Sequence, residues 1–331
     1  MNNFANSYTA RSATRVDLAG GTLDLWPLHS FVGQCATINV SVSVFTYCDL
    51  EKRKDKKITI ESKDQEFKKE FDSIEELYLS KDPALNFFKC HIKYWNPSFG
   101  FNLTTRSESP IGGGLGGSSS LSISVMKTFA EAINRKFDLY SMVEAAHNIE
   151  AEILRTPTGI QDYVAAISPG LNIIEFSHDG FKVSNSKFPE AVFNENAILV
   201  YTGKPHNSGI NNFEVCKLAV EGKQTTLIAL KKIRDVTLDL RSVLLDQDYE
   251  KLSDIFRREY QARVELTPLF LSPEIEILEK LALMSGAEAI KICGAGGGGC
   301  VMVWAPEKKK EVSARLKEQG MKVLDVSIYN G

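Results

Sequence analysis

Ala36 to Leu50, Ala-Thr-Ile-Asn-Val-Ser-Val-Ser-Val-Phe-Thr-Tyr-Cys-Asp-Leu, alternates at period two and is rich in β-branched side chains. That pattern predicts a long strand. Lys57–Ser62 and Phe101–Ser107 predict two more, and the second of these delivers the chain to a glycine-rich loop. The periodicity then changes to that of helices over Leu121–Phe137 and Leu139–Arg155. Strand character returns at Gly170–Phe176 and Ala197–Thr202. Between them Ser186–Asn196 is polar and carries a proline, which points to a division into residues 1–192 and 193–331. Leu227, Leu230, Ile233, Leu238 and Leu240 give near-helical spacing over Thr226–Asp246, and helices follow at Tyr249–Thr267 and Pro273–Met284. The tail reads as strand Glu288–Cys293, loop, strand Cys300–Trp304, helix Glu307–Gln319 and strand Lys322–Ile328. Strands and helices gathered in this way predict an α+β architecture rather than a repeating βαβ series.

Composition narrows the class. A length of 331 residues suits two ordinary domains, and 43% hydrophobic residues suit a sizeable core. No apolar run reaches the ~18–20 residues that span a bilayer, and the N-terminus lacks the pattern of a signal peptide. A net charge of −3 gives no electrostatic case for nucleic acid or an anionic membrane. The short basic clusters at Lys52–Lys57 and Lys308–Lys310 read as a solvated loop and a helix start. Six cysteines without CxxC spacing suit a reducing cytoplasm, and five histidines without HExxH spacing give no zinc signature. A cytoplasmic protein that binds neither nucleic acid nor membrane is therefore expected.

Two glycine clusters stand out. Ile111–Ser120 holds five glycines and three serines, and Gly294-Ala-Gly-Gly-Gly-Gly299 is the second cluster. Both fit GxGxxG, yet neither sits in a Rossmann context: the first lacks a ribose-binding acid in the next strand, and the second is followed by a strand. A nicotinamide-dependent oxidoreductase would rest on those two matches alone. Neither is followed by Gly-Lys-Ser/Thr, so neither is a P-loop. The first cluster opens a helix, where uncovered amides and the helix dipole favour an anion such as a phosphate. Ser118 and Ser119 could there cap the helix, hold a phosphate oxygen or bind a metal ion.

The segment Pro110-Ile-Gly-Gly-Gly-Leu-Gly-Gly-Ser-Ser119 resembles the nucleotide-binding motif of the GHMP kinases: galactokinase, homoserine kinase, mevalonate kinase and phosphomevalonate kinase. Arg15-Val-Asp-Leu-Ala-Gly-Gly-Thr-Leu-Asp24 is similar to the family's first motif, and Lys291-Ile-Cys-Gly-Ala-Gly-Gly-Gly-Gly299 to its third. The resemblance covers the whole chain in order. It implies two domains: an N-terminal unit like domain 2 of ribosomal protein S5 and a C-terminal ferredoxin-like α/β sandwich, with the active site in the cleft between. Within the family, Ala19–Asp24, Ala36–Asn39, Gln161-Asp162, Asn172–Phe176 and Tyr201–Gly203 are similar to the kinases of heptose 7-phosphate. Thr22, Leu23 and Tyr163-Val164 depart from that subgroup's pattern near the acceptor.

The resemblance implies ATP and Mg²⁺ as cofactors and transfer of the γ-phosphoryl group to a sugar or sugar phosphate, heptose 7-phosphate at C1 in particular. It makes Asp162 the proton acceptor and Arg15 its catalytic partner. It assigns the nucleotide to Pro110, Gly112, Gly113, Gly114, Leu115, Gly116, Gly117, Ser118 and Ser119. Ser118 and Glu150, with Glu152 as rival, would hold Mg²⁺. Asp24, Gly20, Gly21, Thr22, Gln161 and Tyr201 would meet the acceptor, joined by Gly296 and Gly297 from the second unit. Mevalonate kinase or galactokinase activity is the alternative within the family; mevalonate kinases usually carry Lys at the place of Arg15 and Gly-Glu-His at Gly20–Thr22. A catalytically inactive ligand sensor is the alternative outside enzymes. Both monomer and homodimer fit the sequence.

Overall fold

A computed structural model describes residues 6–205 and 208–331. The first half is built on a mixed seven-stranded sheet: β1 (Ser7–Ala19), β2 (Cys35–Lys52), β3 (Ile58–Ser62), β4 (Phe67–Phe71), β5 (Phe101–Ser107), β6 (Leu171–Ser177) and β7 (Gly180–Ser186). Its helices are α1 (Leu28–Val32), α2 (Ile74–Leu79), α3 (Asn86–Trp95), α4 (Gly117–Ala132), α5 (Leu139–Leu154) and α6 (Gln161–Ile167). After α7 (Glu190–Asn194) a second, antiparallel sheet forms from β8 (Ala197–Tyr201), β9 (Ala289–Ile292), β10 (Cys300–Trp304) and β11 (Lys322–Leu324), in the order β11-β8-β10-β9. With it go α8 (Ser208–Val220), α9 (Gln224–Asp246), α10 (Leu252–Leu266), α11 (Pro273–Met284) and α12 (Lys309–Glu318). The division expected at 192/193 falls inside α7, between the sheets.

Strand β2 organises the first sheet. One edge runs along β1, with Arg15 opposite Ser41. The other edge is shared: Cys35–Val40 pairs with β6 and Thr46–Lys52 with β5. The gap between them is filled by the C-terminal tail, where Ser43 N–H donates to Ser327 O (2.9 Å) and Tyr329 N–H to Ser41 O (2.9 Å). The strand expected over Lys322–Ile328 is thus divided, ending in the second sheet at Leu324 and resuming as a bridge to the first at Ile328. The physical reason is an open stretch of β2 edge, whose backbone groups need partners.

Two apolar clusters fill the interior, and each draws side chains from both sheets, so the halves share their core. Helices α9 and α10 pack on each other and on β2 and β9 respectively, which carries the second half onto the first. Trp95 is buried in this core, stacked on Phe129 with centroids 5.9 Å apart, as packing of an amphipathic α3 requires. No helix among the described residues is long and apolar enough to cross a membrane.

Candidate active site

Strand β5 ends at Ser107, and after a nine-residue connection α4 begins at Gly117. The connection turns through Gly112 (φ 61°), Gly114 (φ 71°) and Gly116 (φ 72°), left-handed conformations that a side chain would strain. Gly116 is also crowded, since a Cβ there would lie 2.8 Å from Asp162 Cγ. No side chain caps the N-terminus of α4. Its first amides have no acceptor within the helix, and the dipole adds positive potential at that end. Gly116, Gly117, Ser118 and Ser119 line a cleft together with Pro110, Gly112, Gly113 and Gly114. Leu115 does not: it is fully buried in one of the apolar clusters, where it anchors the loop.

Asp162 lies in the first turn of α6 and Arg15 midway along β1. Arg15 Nε donates to Asp162 Oδ1 at 2.7 Å, and its Nη2 lies 2.7 Å from the same oxygen. The Arg15 side chain is 6% exposed and that of Asp162 21%, so both line the cleft and the carboxylate is the more open of the two. Arg15 Nη1 reaches the carbonyl oxygens of Gly114 (2.6 Å) and Cys293 (2.7 Å), which ties both glycine clusters to one guanidinium. Burial works against the charge on Arg15, but Asp162 and Asp17 outweigh it and raise its pKa. Asp162 is not a helix cap; α6 has Ile160 at that position and no side-chain cap.

Glu150, on α5, accepts hydrogen bonds from Ser119 Oγ (3.1 and 3.3 Å) and from Tyr163 Oη. Burial raises its pKa; hydrogen bonds from Tyr163, Ser119 and Ser118 act in the opposite direction, while the Asp162 charge adds to the rise. Among the described residues no Lys or Arg pairs with it, and it lines the cleft. Glu152 is exposed and pairs with Lys93 (2.9 Å) on the helix's other face. A hydroxyl-bonded carboxylate without a cationic partner suits a hard divalent cation that takes its remaining ligands from phosphates and water. No group of three or more His, Cys, Asp or Glu residues forms a metal cage among the described residues.

Gly21, Thr22, Asp24 and Gln161 also line the cleft. Asp24 is 5% exposed and accepts from the Gln161 N–H at 3.1 Å. Burial pushes its carboxyl up to about 6; the Gln161 bond opposes this and the charges on Asp162 and Asp17 add to it. A Cβ on Gly159 would lie 2.1 Å from Asp24 Oδ2, so only glycine fits beneath it. Gln161 Oε1 is buried without a partner. Such an acceptor atom is satisfied when a hydroxyl-bearing ligand brings a donor.

Besides Leu115 and the rival Glu152, four of the residues that the motifs suggested lie outside the cleft lining. Gly20 packs beneath Ala36 O and Thr237. Tyr201 stands on β8 with its hydroxyl donating to Ile111 O at 3.4 Å. At Gly296 a Cβ would meet Phe270 Cδ1 at 2.3 Å, and Gly297 N–H donates to Phe270 O at 2.9 Å. The second cluster reaches the cleft through Cys293, Gly294 and Ala295 instead.

Sequence reasoning missed the cleft floor. Asp17 Oδ2 accepts from Arg263 Nη2 (2.8 Å) and Lys291 Nζ (3.1 Å), and Glu259 Oε1 accepts from Arg263 Nε (3.0 Å) and lies 3.1 Å from Lys291 Nζ. All four side chains are almost fully buried, two of each sign, and Asp17 and Arg263 line the cleft. The available signal was a charge inside each apolar run: Asp17 two residues from Arg15 on β1, Lys291 within Ala-Ile-Lys-Ile, and Glu259 four residues before Arg263 on a helix.

Comparison with known proteins agrees with this arrangement. The GHMP kinases N terminal domain matches residues 79–170, and the GHMP kinases C terminal domain matches residues 240–321. D-glycero-alpha-D-manno-heptose 7-phosphate kinase of Campylobacter jejuni is 30% identical over 325 residues, covering 94% of each chain. Mevalonate kinase of Pyrococcus furiosus is 24% identical over 313 residues, covering 88% of this chain and 89% of its own. Among solved structures, a D-glycero-D-manno-heptose 1-phosphate kinase from Bacteroides thetaiotaomicron superposes with a TM-score of 0.76 at 23% identity, covering 97% of this chain and 95% of its own. An open helix terminus, a paired carboxylate and arginine and these matches across both halves agree: the chain belongs to the GHMP kinases.

Proposed function

We propose that this kinase uses ATP and Mg²⁺ to phosphorylate a hydroxyl of a sugar phosphate, with heptose 7-phosphate at C1 as the acceptor. The observation that carries the reading is the Asp162–Arg15 pair, 2.7 Å apart, placed against the loop that opens α4. The amides of Gly117–Ser119 and the helix dipole hold the anionic tail of the nucleotide. Asp162 accepts the proton of the attacking hydroxyl as its oxygen bonds to the γ-phosphorus, and the bond from that phosphorus to the bridging oxygen breaks to release ADP. Arg15 holds the Asp162 carboxylate in place and offsets negative charge that grows during transfer. Glu150 with Ser118 or Ser119 would hold Mg²⁺, which when bound neutralises phosphate charge. Asp24 and Gln161 orient the acceptor through its hydroxyls.

Two features favour a polyol over mevalonate. The acceptor wall holds the carboxylates of Asp24 and Asp162 and the unpaired Gln161 Oε1, all acceptors, which suit a donor-rich sugar better than a carboxylate. The heptose kinase relative is also the more similar at 30% identity, against 24% for the mevalonate kinase. An ADP-release assay over a panel of D-glycero-D-manno-heptose 7-phosphate, galactose and mevalonate tests the reading. Turnover of the heptose phosphate above the others is expected. Turnover of mevalonate with none of either sugar would overturn it, and nucleotide binding without any turnover would favour the ligand-sensor alternative.

A further inference from the structure

The cleft has a neighbour that no motif marks. Pro157 and Thr158 line both the cleft and an adjoining pocket, so the two spaces lie against the same short segment, next to Gly159 and Gln161. Trp26, on the turn just after Asp24, and Phe213 on α8 form part of its walls, and they are 72% and 52% exposed. Phe213, Cys216, Lys217 and Val220 share one face of α8 by their spacing, and all four line the pocket. Arg155, in a left-handed conformation (φ 54°) at the end of α5, brings a guanidinium to the same space.

The polar content of this pocket is unmatched. Arg155 and Lys217 are exposed and form no ion pair with any described residue. Thr156 Oγ1 and Thr158 Oγ1 are buried without a hydrogen-bond partner, and Thr158 as a whole is 7% exposed. His147 lies against the same segment, with Nε2 3.0 Å from Thr158 O. Among the described residues that line the pocket Glu221 is the one carboxylate, so with the two cations the lining carries a net charge of one positive unit. Two cations and two hydroxyl groups that need partners describe a receptor for a phosphate dianion. Aromatic faces beside them suit the carbon chain that leads to it.

We propose that this pocket receives the far end of the acceptor and that Arg155 and Lys217 hold a phosphomonoester there, remote from the hydroxyl that is phosphorylated. The proposal rests on the sugar-kinase reading and deepens it, because it makes the phosphate on the acceptor a determinant of specificity. Arg155 supplies a planar fork and Lys217 a point charge, and the threonine hydroxyls donate to the remaining oxygens. A sugar without that phosphate would bind at Asp24 and Gln161 and leave the basic pocket unused.

The test compares D-glycero-D-manno-heptose with its 7-phosphate as acceptors for the full chain, in wild type and in Arg155→Gln, Lys217→Gln and the double variant. The phosphorylated sugar is expected to be the better wild-type substrate. Each single variant should raise its KM by about 10-fold, the scale of one charge-assisted hydrogen bond. KM for ATP and kcat/KM for the unphosphorylated heptose should stay within about two-fold, since neither residue lies at the transfer site. Arg155→Lys should recover part of the loss. Equal use of both sugars by the wild type, or a preference for the phosphate that survives the double variant, would overturn the distal site alone. Turnover of neither sugar by the wild type would overturn the kinase reading beneath it.

Discussion

The two glycine clusters read alike and are used differently. In Gly112–Gly117 the backbone turns sharply, seats Asp162 against Gly116 and leaves the N-terminus of α4 uncapped at the cleft. In Gly296–Gly299 the bare backbone admits other protein. Gly296 abuts Phe270, a Cβ on Gly298 would lie 2.6 Å from Lys204 O, and one on Gly299 would lie 3.0 Å from Gly113 O. Cys300 N–H then donates to Gly113 O at 2.7 Å, so the second cluster braces the first. A run of glycines signals close approach, but it does not say whether a ligand or a neighbouring loop is what approaches.

Substitutions can break this contrast at either side. The largest effect is expected at Asp162: Asn there should lower kcat by about 10³-fold, within the range of a lost general base, while calorimetric affinity for ATP changes little. Gly116→Ala forces a Cβ to 2.8 Å from Asp162 Cγ at a φ of 72°. A fall in kcat of about 10²-fold is expected from displacing that carboxylate, with a modest loss of stability. Gly296→Ala should do the reverse. Its Cβ would meet Phe270 Cδ1 at 2.3 Å, so thermal denaturation should show a loss of about 2–4 kcal/mol, while the folded protein binds ATP as before.

Two smaller effects sharpen the account of the cleft. Asp24 titrates near 6 in the folded protein, above its unfolded value, so the native state binds more protons between roughly pH 4 and 6. Its contribution therefore becomes less favourable as pH rises through that window. At neutral pH it costs about 3 kcal/mol by linkage. Asp24→Asn should raise the melting temperature at pH 7.5 and flatten its pH dependence, while raising KM for the acceptor. Glu150→Gln should shift the Mg²⁺ concentration for half-maximal rate upward by about 10-fold, and Glu152→Gln should leave it unchanged.

Much of this was legible in advance where periodicity and local chemistry coincide. The long strand at Ala36–Leu50 and the helices after Leu139 and Pro273 follow from apolar spacing, and the helix that follows Ser120 was expected four residues late. Asp162, Arg15, Glu150 and Asp24 were legible because motifs carry them at fixed spacing, and all four meet in the cleft. The quartet of Asp17, Glu259, Arg263 and Lys291 was not, because only Glu259–Arg263 is a local pair, and the contacts that join it to Asp17 and Lys291, across up to 274 residues, form only in the tertiary fold. Burying four charges is costly unless they neutralise one another, so each alone looks like an error in an apolar run. Gly296 and Gly297 were assigned to the acceptor because sequence cannot tell a neighbouring Phe270 from a sugar.

The most direct test of the contrast between the clusters is backbone amide NMR during titration with an ATP analogue and Mg²⁺. Large shifts at Gly117, Ser118 and Ser119, with little change at Gly297 and Gly299, are predicted, since those two amides already donate to Phe270 O and Lys204 O. Shifts concentrated at Gly296–Gly299 with the start of α4 unmoved would contradict the account.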